Sequence, residues 1–405
     1  MIRAALVGVS GYGRWHLLMA MEQALLGRLK LVGATVINAQ EQAGVCRRLE
    51  RYGVPTFGCC DEMLSALAGQ LDLLMVPTAI HWHAPMTIAA LRAGLHVLLE
   101  KPVAATVQEV DAIIAAQTAA ARFVAVGFQD LYVPAALDIK KRVLDGQIGT
   151  LRKVVVRGQW PRSSAYYARN EWAGRLQIGN AWVLDSPVSN AFAHFLMLGL
   201  FWSGDALEKG AEIAEVEAEL YRAGDIESFD TACVRARTTR DVEILFYGSH
   251  AGAEEFPPEV QLIGEEGSIT WVYESSYTVV RTGHPNEVLP VPNQLDTRLT
   301  VIDALMDRLE GNSRFIVEPA LGREHTRIMN ALHDFFPIHT IGAPNVTRLE
   351  SRTGVFSRIR NFDETVADAA KRKLLFSETA APWAIASTGV RSMDGYQRFA
   401  GGFRA

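Results

Sequence analysis

The chain has 405 residues, 49% of them hydrophobic and 21% charged, with a formal net charge of −5. That length argues for two domains rather than one core, and the charge balance lacks the basic stripe that a nucleic-acid partner requires. The most apolar stretch, residues 191–202, contains His194 and is too short to span a bilayer, so no membrane partner is expected.

Taken in order, residues 4–7 form an apolar run that predicts a buried strand, and residues 15–26 predict a helix. Between them stands Gly8-Val9-Ser10-Gly11-Tyr12-Gly13. Strand, glycine turn, helix is the setting in which such a turn binds a dinucleotide pyrophosphate, with helix N–H groups facing the phosphates. Further strands are predicted at 31–37, 54–57, 71–76, 96–99 and 123–126, separated by helices at 40–51, 61–68, 85–93 and 107–121. Six strands alternating with helices predict an α/β Rossmann domain, a parallel doubly wound sheet. Glu100-Lys101-Pro102 follows the fifth strand, at the sheet edge where ligands sit.

After the second strand no Asp or Glu occurs before Glu41, and Arg47 and Arg48 lie well into the next helix. Asn38 is left to bond a ribose hydroxyl, which favours NAD mildly over NADP. Ser10 stands where the fingerprint expects its second glycine, which crowds the pyrophosphate approach. His81-Trp82-His83 has no Asp, Glu or Cys ligand beside it, so no metal is expected.

Beyond residue 150 strands follow one another at 151–157, 214–221, 231–237, 242–247, 259–263, 268–273 and 277–281. Helices are predicted at 135–144, 189–201, 297–310 and 321–335. This order predicts an α+β domain with an open, mostly antiparallel sheet. The last sixty residues are polar and arginine-rich. Arg348, Arg352, Arg358 and Arg360 read as a solvated or subunit-bridging tail, with one amphipathic helix at 362–375 and an extended segment around Pro382-Trp383. The expected division is 1–128, 129–345 and a C-terminal helix and tail at 346–405 that packs on the preceding domains. An open sheet face would be buried by pairing subunits, so a homodimer or homotetramer is expected.

The run from Trp160 to Arg175 alternates aromatics, arginines and amides after the first strand of the second domain. Such a mixture suits a sugar, whose apolar faces stack while its hydroxyls take directed hydrogen bonds. Arg162, Tyr167 and Asn170 are the candidates for substrate contact; the alternative is an ordered loop packed on a neighbouring subunit. Four cysteines, with Cys59 and Cys60 adjacent, make neither a disulfide framework nor a spaced metal site. With no secretory h-region at the N-terminus, a cytoplasmic protein is expected.

Three motifs carry a resemblance to a known family. They are Gly8-x-x-Gly11-x-Gly13-x-x-His16, then Pro77-Thr78 with His83 and Ala84-Pro85, then Ala93-Gly94-Leu95-His96-Val97-Leu98-Leu99-Glu100-Lys101-Pro102. On these the chain resembles the Gfo/Idh/MocA nicotinamide-dependent oxidoreductases along nearly its whole length. The resemblance implies a Rossmann domain followed by an α+β domain with an open sheet. It implies a catalytic Lys101 facing substrate and nicotinamide, and a cis Lys101-Pro102 bond. It further implies cofactor contacts from Gly8, Ser10, Gly11, Tyr12, Gly13, Asn38, Pro77, Thr78, His83, Glu100 and Lys101.

The family's second-domain motif is Asp-x-Gly-x-His, and here Asp185 keeps the aspartate while Pro187 and Ser189 replace the glycine and histidine. A serine does not hold a proton near neutral pH, so the usual acid/base assignment fails. His194 is the substitute candidate. On the predicted helix it lies about 140° around from Ser189, so it either reaches the cofactor by another route or is a core histidine. The stretch is similar to a branch of the family with Asp-Ser-Pro-x-x-Asn-Ala-x-Ala-His. Asp185 and His194 are therefore expected beside Lys101 as catalytic residues. Asp185, Ser189 and Asn190 join Lys101, Arg162, Tyr167 and Asn170 as substrate contacts. The expected activity is hydride transfer between nicotinamide and a ring carbon of a sugar, cyclic polyol or sugar derivative. A glycoside-cleaving enzyme with a retained NAD and a non-enzymatic ligand sensor are the alternatives.

Overall fold

Ala4, Ala5, Leu6 and Val7 are fully buried, as a strand covered on both faces demands. In the computed structural model, which describes residues 1–403, they belong to β1 (Ile2–Val7). There follow α1 (Gly13–Leu25), β2 (Leu29–Thr35), α2 (Ala43–Arg51), β3 (Thr56–Phe57), α3 (Cys60–Ala66), β4 (Leu73–Val76), α4 (His83–Arg92), β5 (His96–Leu99), α5 (Val107–Ala120) and β6 (Val124–Val126). The six strands form one parallel sheet in the order β3-β2-β1-β4-β5-β6. The chain leaves β1 toward β2 and later returns beside it as β4, so the crevice of the sheet opens at the C-terminal ends of β1 and β4. β2 begins and ends two residues earlier than predicted, because Val36 and Ile37 lie past the ladder and Ile37 turns to solvent.

Two compact units divide the chain. The first comprises Met1–Ala104, Gln108–Tyr132 and Gln294–Arg323. The second comprises Ala105–Val107, Val133–Asn293 and residues from Glu324 onward.

The second unit contributes α6 (Pro134–Leu144), β7 (Leu151–Gln159), α7 (Ser164–Ala168), β8 (Gln177–Ile178), β9 (Ala181–Trp182), α8 (Ala193–Trp202), β10 (Ile213–Arg222), β11 (Thr231–Thr238), β12 (Glu243–Ser249), β13 (Phe256–Gly264), β14 (Gly267–Val272), β15 (Ser276–Arg281) and β16 (Glu287–Pro290). The chain then passes through α9 (Gln294–Leu309), α10 (Pro319–Phe335), β17 (Ile338–Thr340), the hairpin β18 (Val346–Ser351) and β19 (Gly354–Ile359), α11 (Phe362–Arg372) and β20 (Arg391–Ser392).

α9 belongs to the first unit, although its sequence follows the strands of the second. Its Asp303 accepts from Gln23 of α1 at 2.8 Å, and its Asp307 takes Arg28 at 2.7 Å. Val301, Ile302 and Leu305 are the apolar stripe it buries. A contiguous reading of the chain placed this helix in the second domain.

The large sheet runs β16-β15-β14-β13-β7-β12-β11-β10-β17, with β20 on β10. Its pairings are antiparallel except β7 with β12 and β10 with β17. Alternation sorts its residues to two faces. Val154, Val156, Ile244 and Phe246 belong to the face packed by α8, a helix buried from Phe195 to Trp202. Val155, Tyr221, Cys233, Leu245 and Tyr247 belong to the other.

An open face was expected there, awaiting a partner. The chain's own Ile359, Phe362, Ala369, Leu375, Phe376 and Trp383 pack against its β7 and β10–β12 part, while Val280 of β15 and Val288 of β16 stay exposed. Polar ties hold the cover down: Tyr247 Oη donates to Leu374 O at 2.8 Å, Arg235 pairs with Glu378 at 2.6 Å, and Ser377 N donates to Glu219 at 3.1 Å. Of the arginine-rich stretch, Arg348, Arg352 and Arg360 are exposed to solvent and Arg358 is half-buried. Arg348 and Arg358 lie on the paired strands β18 and β19. Among the described residues no helix is long and apolar enough to cross a membrane, and no cluster of His, Cys, Asp and Glu is disposed to hold a metal.

Candidate functional site

The turn after β1 is built for close approach. Gly8 and Gly11 take φ of +88° and +53° with open space around them, a conformation L side chains resist. Gly13 opens α1, and a Cβ there would collide with the Gly8 carbonyl. Among the described residues the amides of Ser10, Gly11 and Tyr12 donate to no backbone carbonyl, whereas Gly13 N donates to Ser10 O at 2.9 Å. Unengaged N–H groups at a helix start are an anion-binding concavity. The Tyr12 hydroxyl donates to Gln129 at 2.9 Å, and Arg298 donates to it at 3.3 Å while lying over the Trp15 ring at 4.0 Å. Burial, with Glu100 nearby, raises the Tyr12 pKa, so it stays a phenol.

Glu100 and Lys101 follow β5, where the structure has a cis Lys101-Pro102 bond. Glu100 is 8% exposed; its carboxylate meets His16 Nε2 at 2.8 Å and takes the Lys101 amide at 3.3 Å. Gly127 makes room for it, since a Cβ there would fall 2.7 Å from Glu100 Oε1. Lys101 is half-buried. Both nitrogens of His83 face carbonyls, Pro102 O at 2.8 Å and Thr78 O at 3.2 Å. Burial lowers its pKa, and the ring is held between the turns after Lys101 and after β4. Pro77 and Thr78 follow β4, and the buried Thr78 hydroxyl has no partner among the described residues. Past β2, Asn38 donates to Glu41 at 3.0 Å, which brings an acid to the position where the sequence had shown only an amide.

In the second unit a crevice too narrow to admit a water molecule lies among Tyr166, Tyr167, Gly174, Asp185, Ile226 and His250. Asp185 is 3% exposed and oriented by Gly174 N at 2.7 Å and Asn190 Nδ2 at 3.0 Å. The Tyr167 hydroxyl is buried and has no partner among the described residues, and burial, with Asp230 nearby, raises its pKa far above that of a free phenol. His250 was absent from the sequence reading. Its Nδ1 lies 2.9 Å from the Trp160 carbonyl, which only accepts, so Nδ1 carries the proton and Nε2 a lone pair. Burial, reinforced by the Arg162 charge, lowers its pKa to about 3.

Other predicted contacts have different duties. Ser189 is fully buried, donates to Leu184 O at 2.8 Å and accepts from Ser186 N at 2.9 Å, so it closes a turn instead of facing a substrate. That turn ends the chain's extended entry, and α8 begins only at Ala193. The angular argument linking Ser189 to His194 therefore fails, because only His194 is helical; it is half-buried on the first turn of α8. Asn170 takes the Trp172 and Ala173 amides at 3.2 and 2.8 Å, which shapes its loop. The Arg162 guanidinium lies over the Tyr166 ring at 4.8 Å, beside the crevice. His250 had one faint sequence signal, a polar pair with Ser249 ending the apolar strand β12.

Comparison with known proteins gives this geometry a context. Residues 2–128 match the Gfo/Idh/MocA oxidoreductase family, NAD-binding Rossmann fold. A UDP-N-acetylglucosamine 3-dehydrogenase of Acidithiobacillus ferrooxidans is 29% identical over 113 residues, 28% of this chain and 32% of that one. An inositol 2-dehydrogenase/D-chiro-inositol 3-dehydrogenase of Halalkalibacterium halodurans is 30% identical over 151 residues, 36% of this chain and 41% of that one. The chain thus matches less than half of the length of either relative. Across both units the fold is shared with an inositol dehydrogenase homologue from Azotobacter vinelandii, solved with NADH and myo-inositol. The TM-score is 0.67 at 19% identity, over 82% of this chain and 93% of that one. The glycine turn and the Glu100-Lys101-Pro102 edge both lie inside residues 2–128, the part of the chain that matches the Gfo/Idh/MocA oxidoreductase family.

Proposed function

We propose that the protein is an NAD-dependent dehydrogenase that oxidises a ring CH–OH of a sugar, cyclic polyol or sugar derivative. The observation that carries this reading is the family match over residues 2–128, together with the three unengaged amides at Ser10, Gly11 and Tyr12. The residues fit a dinucleotide: the turn would hold the pyrophosphate, Asn38 and Glu41 the adenosine ribose, and the unpartnered Thr78 hydroxyl the nicotinamide side. When bound, the nicotinamide supplies the hydride acceptor.

Lys101 hydrogen-bonds the reacting hydroxyl through Nζ and stabilises the negative charge that grows on its oxygen. Asp185, held by the Gly174 amide and by Asn190, positions a substrate hydroxyl in the second unit. A carboxylate beside a ribose diol disfavours a 2′-phosphate, so the Asn38–Glu41 pair supports NAD over NADP. The related enzymes make inositols and UDP-linked amino sugars the first substrates to try.

Four free thiols, Cys46, Cys59, Cys60 and Cys233, support a cytoplasmic site of action. A homodimer or homotetramer would pair through the part of the large sheet that the chain leaves bare, where Val280 and Val288 are exposed.

The test is titration of the purified protein with NADH and NADPH, followed by NADH production from a panel of inositols, aldoses, sugar acids and nucleotide sugars. NADH binding tighter than NADPH, with net NADH from at least one substrate, is expected. Failure to bind either nucleotide overturns the reading. So does a retained nucleotide that cleaves glycosides without net NADH.

A further inference from the structure

Within the first unit α9 runs alongside α1 and in the same direction: Asp303 accepts from Gln23, and Asp307 accepts from Arg28 just past the end of α1. The other end of this pairing reaches the glycine turn. Arg298, in the second turn of α9, lies over the Trp15 ring at 4.0 Å and the Tyr12 ring at 5.4 Å. Its Nε donates to the Tyr12 hydroxyl at 3.3 Å. Arg298 is only 7% exposed, and its buried Nη1 has no hydrogen-bond partner among the described residues. No carboxylate among those residues pairs with the guanidinium. A buried cation without a carboxylate is costly, and one beside the positive end of a helix macrodipole is more so. Both costs fall when an anion docks at the helix start, where the amides of Ser10, Gly11 and Tyr12 donate to no backbone carbonyl among the described residues. The carboxylates that bear on the Tyr12 hydroxyl are Glu100, already met by His16, and Asp130; Arg298 is the cation that opposes them.

We propose that Arg298 is a positioning residue of the dinucleotide turn, holding Tyr12 at the start of α1 and keeping the turn electropositive for a pyrophosphate. The inference rests on the dehydrogenase reading for the identity of the anion, and on the geometry of the first unit for everything else. The guanidinium combines two properties. Its flat face stacks on the Trp15 indole while Nε reaches the phenol, so Tyr12 is fixed by a group that is itself fixed. Its charge acts through a buried wall, where water screens it little, and offsets the Glu100 and Asp130 carboxylates. Lysine would supply the charge without the fork or the stacking plane, and glutamine neither the charge nor the fork. The anion is not required to touch Arg298. The residue stands 286 positions from Tyr12 in the chain, which is why the glycine fingerprint alone does not contain it.

Titration of the full chain with NADH and with ADP-ribose, which has the pyrophosphate and lacks the nicotinamide, tests this without any turnover. Arg298→Gln should raise both dissociation constants by roughly tenfold and make them less dependent on salt between about 50 and about 300 mM. Arg298→Lys should fall between that variant and the wild type, since it returns the charge alone. A merely structural arginine would give a loss that lysine does not reduce and that leaves the salt dependence as it was. That pattern overturns the proposal, and so does an unchanged affinity of Arg298→Gln for either ligand. In both cases binding by the wild type leaves the dehydrogenase reading standing. Should Arg298→Gln show no cooperative melting transition, Arg298→Lys decides: a few-fold rise in both constants supports the role, and wild-type affinity overturns it. A wild type that binds neither ligand overturns the reading and the proposal together.

Discussion

His16 on the first helix and Glu100 after the fifth strand meet at 2.8 Å inside the first unit, with the imidazole fully buried. The same carboxylate takes the Lys101 amide, so one side chain ties the glycine-turn helix to the residue expected at the chemistry. Glu100→Gln keeps the shape and weakens both contacts. Urea unfolding should show a loss of about 1–3 kcal/mol, and the NADH dissociation constant should rise. Unchanged values for both would mean that the pair does not brace the turn.

The acid that reaches the end of β2 gives a second prediction. Glu41→Arg should remove the carboxylate from Asn38 and offer a cation in its place, moving the NAD-to-NADP preference toward NADP by roughly tenfold or more. Fluorescence titration with NADH and NADPH reads the ratio. An unmoved ratio would place the adenosine ribose elsewhere.

Acid should unfold the protein through its buried imidazoles. Burial lowers the His333 pKa to about 4, and burial followed by the Arg122 charge does the same for His96. An unfolded histidine titrates near 6.5. Between those values the unfolded chain binds more protons than the folded one, so stability rises with pH. The contribution is complete above pH 6.5 and is lost as pH falls toward 4. His333 alone should account for a loss on the order of 3 kcal/mol across that window. Urea midpoints at pH 7.5, 6, 5 and 4.5 for the wild type and His333→Phe check this, the variant showing the shallower slope. Parallel curves would refute the assignment.

Removal of the cover over the large sheet should be severe. A chain ending after residue 360 lacks Phe362, Phe376 and Trp383, and so exposes Tyr221, Leu245 and Tyr247. Such a patch associates or aggregates, which size-exclusion chromatography with light scattering would detect. Trp383→Ala in the full chain should cost about 3–5 kcal/mol by cavity formation. A truncated chain that remained monodisperse with an unaltered melting temperature would show that the cover is dispensable.

The legible parts of the sequence were those where neighbours in the chain are neighbours in space. Val7, Gly8, Gly11 and Gly13 announce strand, turn and helix within a dozen residues, and all six strands of the first sheet were located. What sheet pairing and distant packing assemble was not legible. His250 meets Trp160 only because β12 lies beside β7, ninety residues away in the chain. Glu41 looked remote from the end of β2 until its side chain folded back on Asn38. Ser189 carried an apolar helix pattern on its C-terminal side, but the hydroxyl bonds of Ser186 and Ser189 hold a turn there first. The arginines of the hairpin hid the cross-strand pair Leu349 and Phe356, which lies on the face opposite to Val346 and Val355.

Both units are discontinuous in the chain, and this bears on how the protein is made. The first unit waits for α9, nearly three hundred residues from the start, before Arg28 finds Asp307 and Glu310. Phe376 and Trp383 in turn follow, by more than a hundred residues, the strands they cover. Neither core therefore closes from local contacts alone, and pairings between distant parts of the chain are expected to set the pace of folding.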